Sequence, residues 1–455
     1  MSGAKNTEAV SCRPQNDTEI GVAVLGYGVV GKGVANAIRT NANAVCKKTG
    51  LRLTLRRVLD LLDFPDSPDA ALITHKVGDV MGDARVGIVV ETMGGTGAAL
   101  EFTKMAFAKK KHVVTSNKEL VAEHGPELLA LASEHGVSYR FEASVGGGVP
   151  ILRPLEECLA ANGITGITGI VNGTTNYMLT YMKEHGADFA ETLRGAQEKG
   201  YAEKDPSADI EGHDACRKLA ILLSVAGGAF VDWKKIHTEG IARVTQEDIG
   251  RAADLGRVVR LIASGRFAEC GVVEALVAPM LVDRHSPLAC AEGVNNAIMV
   301  HGDLVGDVMF YGQGAGMTPT ASAILADILK IAGGPAPDVQ ISEDVRWDRA
   351  REAVVADAAT LAFRFYARIR TVDRSAFTEA LFREFPDAGL LPRRGDDNGD
   401  GGSGDDGGNG YGGEGGGHAL AFTVGPVAGG LFAERLNRII KSVPGTEAGI
   451  AMRFL

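Results

Sequence analysis

Ile20-Gly21-Val22-Ala23-Val24-Leu25 is an apolar run that breaks at Gly26-Tyr27-Gly28-Val29-Val30-Gly31, and from Val29 to Ala44 the spacing becomes helical. A short apolar run ended by glycine reads as a buried strand followed by a turn. Between a strand and a helix, GxGxxG points to a dinucleotide. Its first glycine permits the tight turn, its second lets the backbone approach a pyrophosphate, and its third lets helix and strand pack closely. The helix N-terminus favours the anion. Gly26, Tyr27, Gly28, Val29, Val30 and Gly31 are therefore candidate cofactor-binding residues.

The pattern continues outward from this turn. Residues 51–60 alternate like a strand, 86–91, 112–115 and 138–142 read as further strands, and 98–110 and 120–135 as helices. Strands alternating with helices predict right-handed βαβ units and a parallel sheet, an α/β Rossmann domain over 20–150. The second strand ends in Arg56-Arg57-Val58-Leu59-Asp60. An acid there suits the ribose 2′-hydroxyl of NAD, whereas an arginine such as Arg57 suits the 2′-phosphate of NADP, so either cofactor is compatible with this segment.

After about residue 150 helical stretches (150–160, 188–199, 213–227) mix with strand-like ones (164–171, 272–281, 294–300, 304–309). This predicts an α+β catalytic and dimerisation domain over 151–311, with helical return segments at 312–340. Residues 360–455 form a small third α+β unit. It is interrupted from Gly395 to His418 by a tract with 13 glycines and six acidic residues in 24 positions. That tract has too little apolar surface to offset its ordering entropy and reads as a disordered linker. The polar residues 1–19 read as a frayed tail without a secretory h-region.

The chain has 455 residues, a 45% hydrophobic share and a net charge of −10. The charge disfavours nucleic acid and anionic membrane as partners. No run reaches the ~18 apolar residues of a membrane span. The six cysteines form no CxxC pair, which suits a reducing, cytoplasmic setting.

Two segments carry chemistry. Gly200 to Lys218 (GYAEKDPSADIEGHDACRK) crowds ionisable groups ahead of an apolar helix. Asp214 and Lys218 stand one turn apart on one helix face. Glu203, Asp209 and Asp214 suit a substrate ammonium, and Lys218 suits proton delivery to an oxygen. Thr115-Ser116-Asn117-Lys118 lies at the carboxyl end of a sheet strand, where ligands of doubly wound sheets bind, so Lys118 is a second catalytic candidate.

With these segments in view the sequence resembles homoserine dehydrogenases over residues 20–335. The likeness is carried by GYGVVG (26–31), TSNKEL (115–120), EASVGGGVPI (142–151), NGTTNY (172–177), the block 200–222, HSPLA (285–289) and GQGAGMTPTASAILAD (312–327). A different semialdehyde dehydrogenase would not be expected to carry the Asp214–Lys218 spacing after GYAEKDP. A catalytically silent regulator would be expected to have lost one of the lysines.

The resemblance implies NAD(P)-dependent interconversion of L-aspartate 4-semialdehyde and L-homoserine in the biosynthesis of threonine, methionine and isoleucine. It implies Lys218 as proton donor, Lys118 at the cofactor or assisting proton transfer, and Glu203, Asp209 and Asp214 around the substrate. It implies cofactor contacts at Met93, Lys118, Gly200, Gly314 and Gly316. It also implies a structural sodium ion at Glu142, Val145, Gly147 and Val149, held mainly through main-chain carbonyls, as well as a homodimer or homotetramer. The third unit resembles a degraded ACT domain whose first loop, Thr371-Val372-Asp373-Arg374-Ser375, lacks the usual Pro-Gly pair. Weak or absent threonine feedback follows, and the glycine tract is read as replacing the hairpin of the two middle strands.

Overall fold

The computed structural model describes residues 18–333, 348–392 and 418–455. The readings for residues 1–17 and for most of the glycine tract lie outside these segments. The chain divides into two compact units, residues 1–156 with 315–349, and 157–314 with 350–455.

In the first unit β1 (Thr18–Leu25), β2 (Leu51–Leu59), β3 (Ile73–Thr74), β4 (Ile88–Glu91), β5 (His112–Thr115) and β6 (Tyr139–Arg140) form a sheet in the order β3-β2-β1-β4-β5-β6. All neighbours are parallel. This is the doubly wound dinucleotide-binding order, and β1 and β4 flank its switch point. The connecting helices are α1 (Val29–Thr49), α2 (Val77–Gly82), α3 (Gly97–Ala108) and α4 (Lys118–His135). β1 starts at Thr18, ahead of the apolar run, because Glu19 accepts from Thr54 and pairs with Arg56 on the neighbouring strand. Val22, Val24, Ile88, Val90 and Val114 bury one sheet face against Val34 and Ile38 of α1 and Ile324 and Ile328 of the return helix Met317–Ala332.

In the second unit the order along the chain is β7 (Ile164–Ile170), α5 (Gly173–His185), α6 (Phe189–Glu198), α7 (Ser207–Ile210), α8 (His213–Gly227), β8 (Ala229–Phe230), β9 (His237–Thr238), α9 (Gln246–Asp254), β10 (Arg257–Phe267), β11 (Val272–Asp283), β12 (Asn295–Gly302) and β13 (Gly306–Gln313). The main sheet runs β13-β12-β7-β10-β11 and continues through Glu447–Phe454, Ala362–Thr371, His418–Ala428 and Gly389–Leu390. These last four strands, with helices Arg374–Glu384 and Gly429–Ser442, form a βαββαβ module with antiparallel neighbours. Its core gathers Phe365, Phe377, Phe385, Phe422 and Phe432.

Two expectations change. Both middle strands of the C-terminal module exist: Gly389 and Leu390 pair with Thr423 and Phe422, so the tract separates the strands rather than replacing them. Leu390 packs against the module's core, which gives this short strand its anchor. Residues 150–160 are not a regular helix but contain a π-helical turn, Pro154–Cys158. The amide hydrogens of Ile151, Leu152 and Arg153 are taken by the Glu142 carboxylate instead.

Candidate active site

The glycine turn is built as its spacing requires. Gly26 has φ of 91° and donates to the Leu59 carbonyl at 2.8 Å. A Cβ on Gly31 would stand 2.0 Å from the Gly26 carbonyl oxygen. At Gly28, the residue that opens α1, a Cβ would meet no protein atom within 4 Å. That open backbone ahead of a helix N-terminus fits a pyrophosphate. Val29 is exposed beside it and Val30 is half-buried.

Tyr27 contributes its backbone to the turn. Its ring is buried, and its hydroxyl donates to Asp69 at 2.6 Å and contacts Ser67 at 2.9 Å. Arg57 turns elsewhere: its guanidinium pairs with Asp83 at 3.2 Å and lines a cleft with Asp79 and Arg85, separate from the cleft at Tyr27 and Lys32.

At the carboxyl ends of β4 and β5 a buried carboxylate organises the loops. Glu91 accepts from the Met93 amide at 2.7 Å and the Thr115 hydroxyl at 2.6 Å. Burial pushes its carboxyl above the usual range, and these donors work against that shift. Asn117 accepts from the Leu120 amide at 3.0 Å, capping α4, and donates to the Gly95 carbonyl at 2.6 Å. Lys118, the first residue of α4, is thereby set at the sheet's ligand edge, half-buried. Gly316 opens the return helix with φ of 121°.

The second unit holds the acid-rich segment. Lys218 lies 2.7 Å from Asp214 Oδ2 and donates to the Val171 carbonyl at 2.8 Å. Asn172, which caps α5, donates to Asp209 Oδ1 at 2.7 Å and Asp214 Oδ2 at 2.8 Å. Asp209, Asp214, Lys218 and Asn172 thus form one cluster. Asn172 has the Asn-Gly-Thr-Thr pattern of a helix cap and was not singled out by its charge. Glu203 sits on the exposed loop that precedes α7, and among the described residues no hydrogen bond joins its carboxylate to the cluster. Gly200 begins that loop in the left-handed region with φ of 73°. Gly314 follows β13, where a Cβ would strike the Asn296 side chain.

A Rossmann turn with a lysine at the sheet's ligand edge, and an acid–amide–lysine cluster on a separate α/β unit, are the parts of a nicotinamide-dependent dehydrogenase. The family model described as homoserine dehydrogenase matches residues 150–329, and that of its NAD binding domain matches 26–142. A homoserine dehydrogenase from Bacillus subtilis is 41% identical over 319 residues, covering 69% of this chain and 72% of that one. The chain belongs to the homoserine dehydrogenase family.

Family members share more than the motifs. The homoserine dehydrogenase of Mycobacterium bovis is 36% identical over 377 residues, covering 82% of this chain and 85% of that one. The crystal structure of a homoserine dehydrogenase from Thiobacillus denitrificans superposes with a TM-score of 0.84 at 31% identity, covering 97% of this chain and 99% of that one. A hyperthermophilic archaeal homoserine dehydrogenase in complex with NADPH gives a TM-score of 0.57 at 26% identity, covering 69% of this chain and 98% of that one. As a homoserine dehydrogenase fold, the chain binds NAD(P) through its first unit.

The glycine loop after Glu142 is the remaining expected site. Among the described residues no group of three or more His, Cys, Asp or Glu side chains could hold a metal ion. Gly146 and Gly147 have φ of 73° and 54°. Among the described residues no hydrogen bond reaches the carbonyls of Val145, Gly147 or Val149. These unclaimed oxygens suit a hard cation. The Glu142 side chain is engaged otherwise, accepting from the three amides named above, while its own amide donates to Asp327 Oδ2 at 2.9 Å. Burial and the Glu142 charge push the Asp327 carboxyl up to about 7.

Proposed function

We propose that this chain interconverts L-homoserine and L-aspartate 4-semialdehyde with NAD or NADP, and that Lys218 moves the proton. The observation that carries this reading is the Asp209–Asn172–Asp214–Lys218 cluster. When bound, the nicotinamide supplies or accepts the hydride at the carbon that is aldehyde in one substrate and alcohol in the other. Lys218 gives its proton to the oxygen on which negative charge develops in the reductive direction, and takes it back in the other. Asp214 holds that ammonium group in place. Asp209, Asp214 and Glu203 offer carboxylates to the substrate's own ammonium. Lys118 serves the cofactor edge or assists proton transfer, and Gly26–Gly31, Met93, Gly200, Gly314 and Gly316 offer backbone to the dinucleotide.

The carbonyls of Val145, Gly147 and Val149, with that of Glu142, would hold a structural sodium ion. A homodimer or homotetramer is in keeping with the edge strand β13, which leaves Met309 and Tyr311 exposed beside Leu304 and Val305. The βαββαβ module is read as ACT-like. In its first loop Asp373 is occupied in capping the following helix, accepting from Ala376 at 2.9 Å, and Thr371 meets Thr446 at 2.8 Å. Threonine feedback is read as weak or absent, and strong inhibition of initial rates by millimolar threonine would contradict this.

The deciding experiment is steady-state oxidation of L-homoserine by the purified full-length protein with each dinucleotide. Reduction of cofactor that depends on homoserine supports the reading. Failure with both cofactors by folded protein overturns it.

A further inference from the structure

We infer that this chain binds NAD(H) in preference to NADP(H), and that Asp60 is the residue that sets the preference. The inference rests on the dehydrogenase reading above. β2 ends at Leu59, whose carbonyl is bonded to Gly26. Asp60 follows, and both oxygens of its carboxylate are fixed: Oδ2 accepts from the Tyr27 amide at 2.6 Å and Oδ1 from the Leu62 amide at 3.0 Å. The carboxylate is thus pinned to the second position of the glycine turn, where an acid after the second strand meets the ribose 2′-hydroxyl. A carboxylate oxygen accepts more than one hydrogen bond, so Asp60 still has capacity for that hydroxyl.

A 2′-phosphate at the same place would set a multiply charged anion against a carboxylate that cannot turn away. Relief would need a cation, and the nearby cations are committed. Arg57 pairs with Asp83 in another cleft. Arg39 pairs with Asp69 at 2.7 Å. His75 spans the Asp60 carbonyl at 2.8 Å and Asp63 at 3.0 Å. Lys32 remains, its amine 4.6 Å from the centroid of the Phe64 ring. Against it, residues 60–69 (DLLDFPDSPD) carry four aspartates and no lysine or arginine. The residue after Asp60, a natural origin for a cation reaching a 2′-phosphate, is Leu61, which is 91% exposed. The cleft of about 520 Å³ beside the turn is lined by Tyr27, Lys32, Arg39, Asp63, Phe64 and Asp66; its arginine is already taken by Asp69, which leaves one lysine facing two aspartates.

The test is titration of the full-length protein with NADH and with NADPH, without substrate, followed by nicotinamide fluorescence, alongside homoserine oxidation with NAD and NADP. NADH should bind about tenfold or more tightly than NADPH, a difference of about 1.4 kcal/mol or more. Asp60→Asn should narrow that ratio. Leu61→Arg, a change at an exposed position, should tighten NADPH binding and leave NADH binding as it was. Equal or tighter binding of NADPH by the unaltered protein, or no gain for NADPH in Leu61→Arg, overturns this inference alone. Absence of homoserine oxidation with either nucleotide strikes the dehydrogenase reading instead.

Discussion

Asp214 and Lys218 stand one turn apart on α8, with the lysine amine 2.7 Å from the carboxylate and 2.8 Å from the Val171 carbonyl. Two acceptors fix the ammonium group from the protein side. The amine is largely withdrawn from solvent, its side chain 12% exposed. A lysine held this way on a buried helix is placed to donate, and no stability argument alone calls for a charge there. Lys218→Ala should lower kcat by a factor of about 10²–10⁴, the usual size of an acid–base contribution. NADH binding by fluorescence should be unchanged. Undiminished turnover would remove Lys218 from the reaction.

Asn172 gives hydrogen bonds from one amide nitrogen to Asp209 and Asp214, while its oxygen accepts from Thr175. It ties the Asp209 carboxylate to the Asp214 carboxylate, whose Oδ2 also meets Lys218. In Asn172→Ala the acids lose this common donor and should separate. The KM for homoserine should rise about tenfold, equivalent to about 1.4 kcal/mol, with the KM for the dinucleotide unmoved. Asn172→Asp should do worse, since it adds a third carboxylate to the pair. Steady-state kinetics with each substrate varied in turn distinguishes this from a global loss of fold, which would lower the apparent kcat and leave both KM values where they were.

Arg57 and Arg85 share Asp83, and the Arg85 guanidinium beside it holds that carboxyl well below the usual carboxylate range. A depressed folded-state pKa means the unfolded chain binds more protons in the acid range. The resulting stability is complete above the unfolded value of about 4 and is lost as pH falls through the folded one. Asp83→Asn should therefore lower the urea midpoint at pH 7, and its deficit should shrink as the medium is made strongly acidic. Arg57→Ala should likewise lower stability at pH 7 while leaving NADPH affinity unaltered. A selective loss of NADPH binding would return Arg57 to the cofactor site.

Most of the nucleotide-binding sheet is legible because β1 and β4 are short apolar runs closed by glycine or an acid and β2 alternates, patterns set by local sequence, whereas β3, two residues long, gives no such signal. The acid-rich segment was legible by charge density, and α8 by the apolar continuation after Lys218. What escaped depends on partners distant in sequence. Arg57 alternates on β2 like any strand residue, and only Asp83, beyond α2, shows which way it turns. Asn172 looks like a helix cap, and its second role needs Asp209 and Asp214 folded against it. β10 was missed because Arg260, fully buried, interrupts its apolar run. α9 is mostly polar, although its Thr245–Asp248 capping box was available as a start signal.

The Glu142 side chain serves the backbone of its own loop. The residue is 3% exposed, and its carboxylate accepts from three successive amides at 2.6, 3.0 and 2.8 Å, which is how the chain turns after the three glycines. The proposed cation would instead use carbonyls. Glu142→Ala leaves three donors without an acceptor and should cost about 3 kcal/mol or more, read by urea unfolding. An ion that binds only the folded state raises Tm by mass action, so the unaltered protein should melt higher in sodium chloride than in choline chloride at equal ionic strength. Because the carboxylate acts on backbone, Glu142→Ala should lose the same stability in both salts. A loss confined to sodium would make the side chain a ligand of the ion, and an unaltered protein indifferent to the salt would remove the ion from this loop.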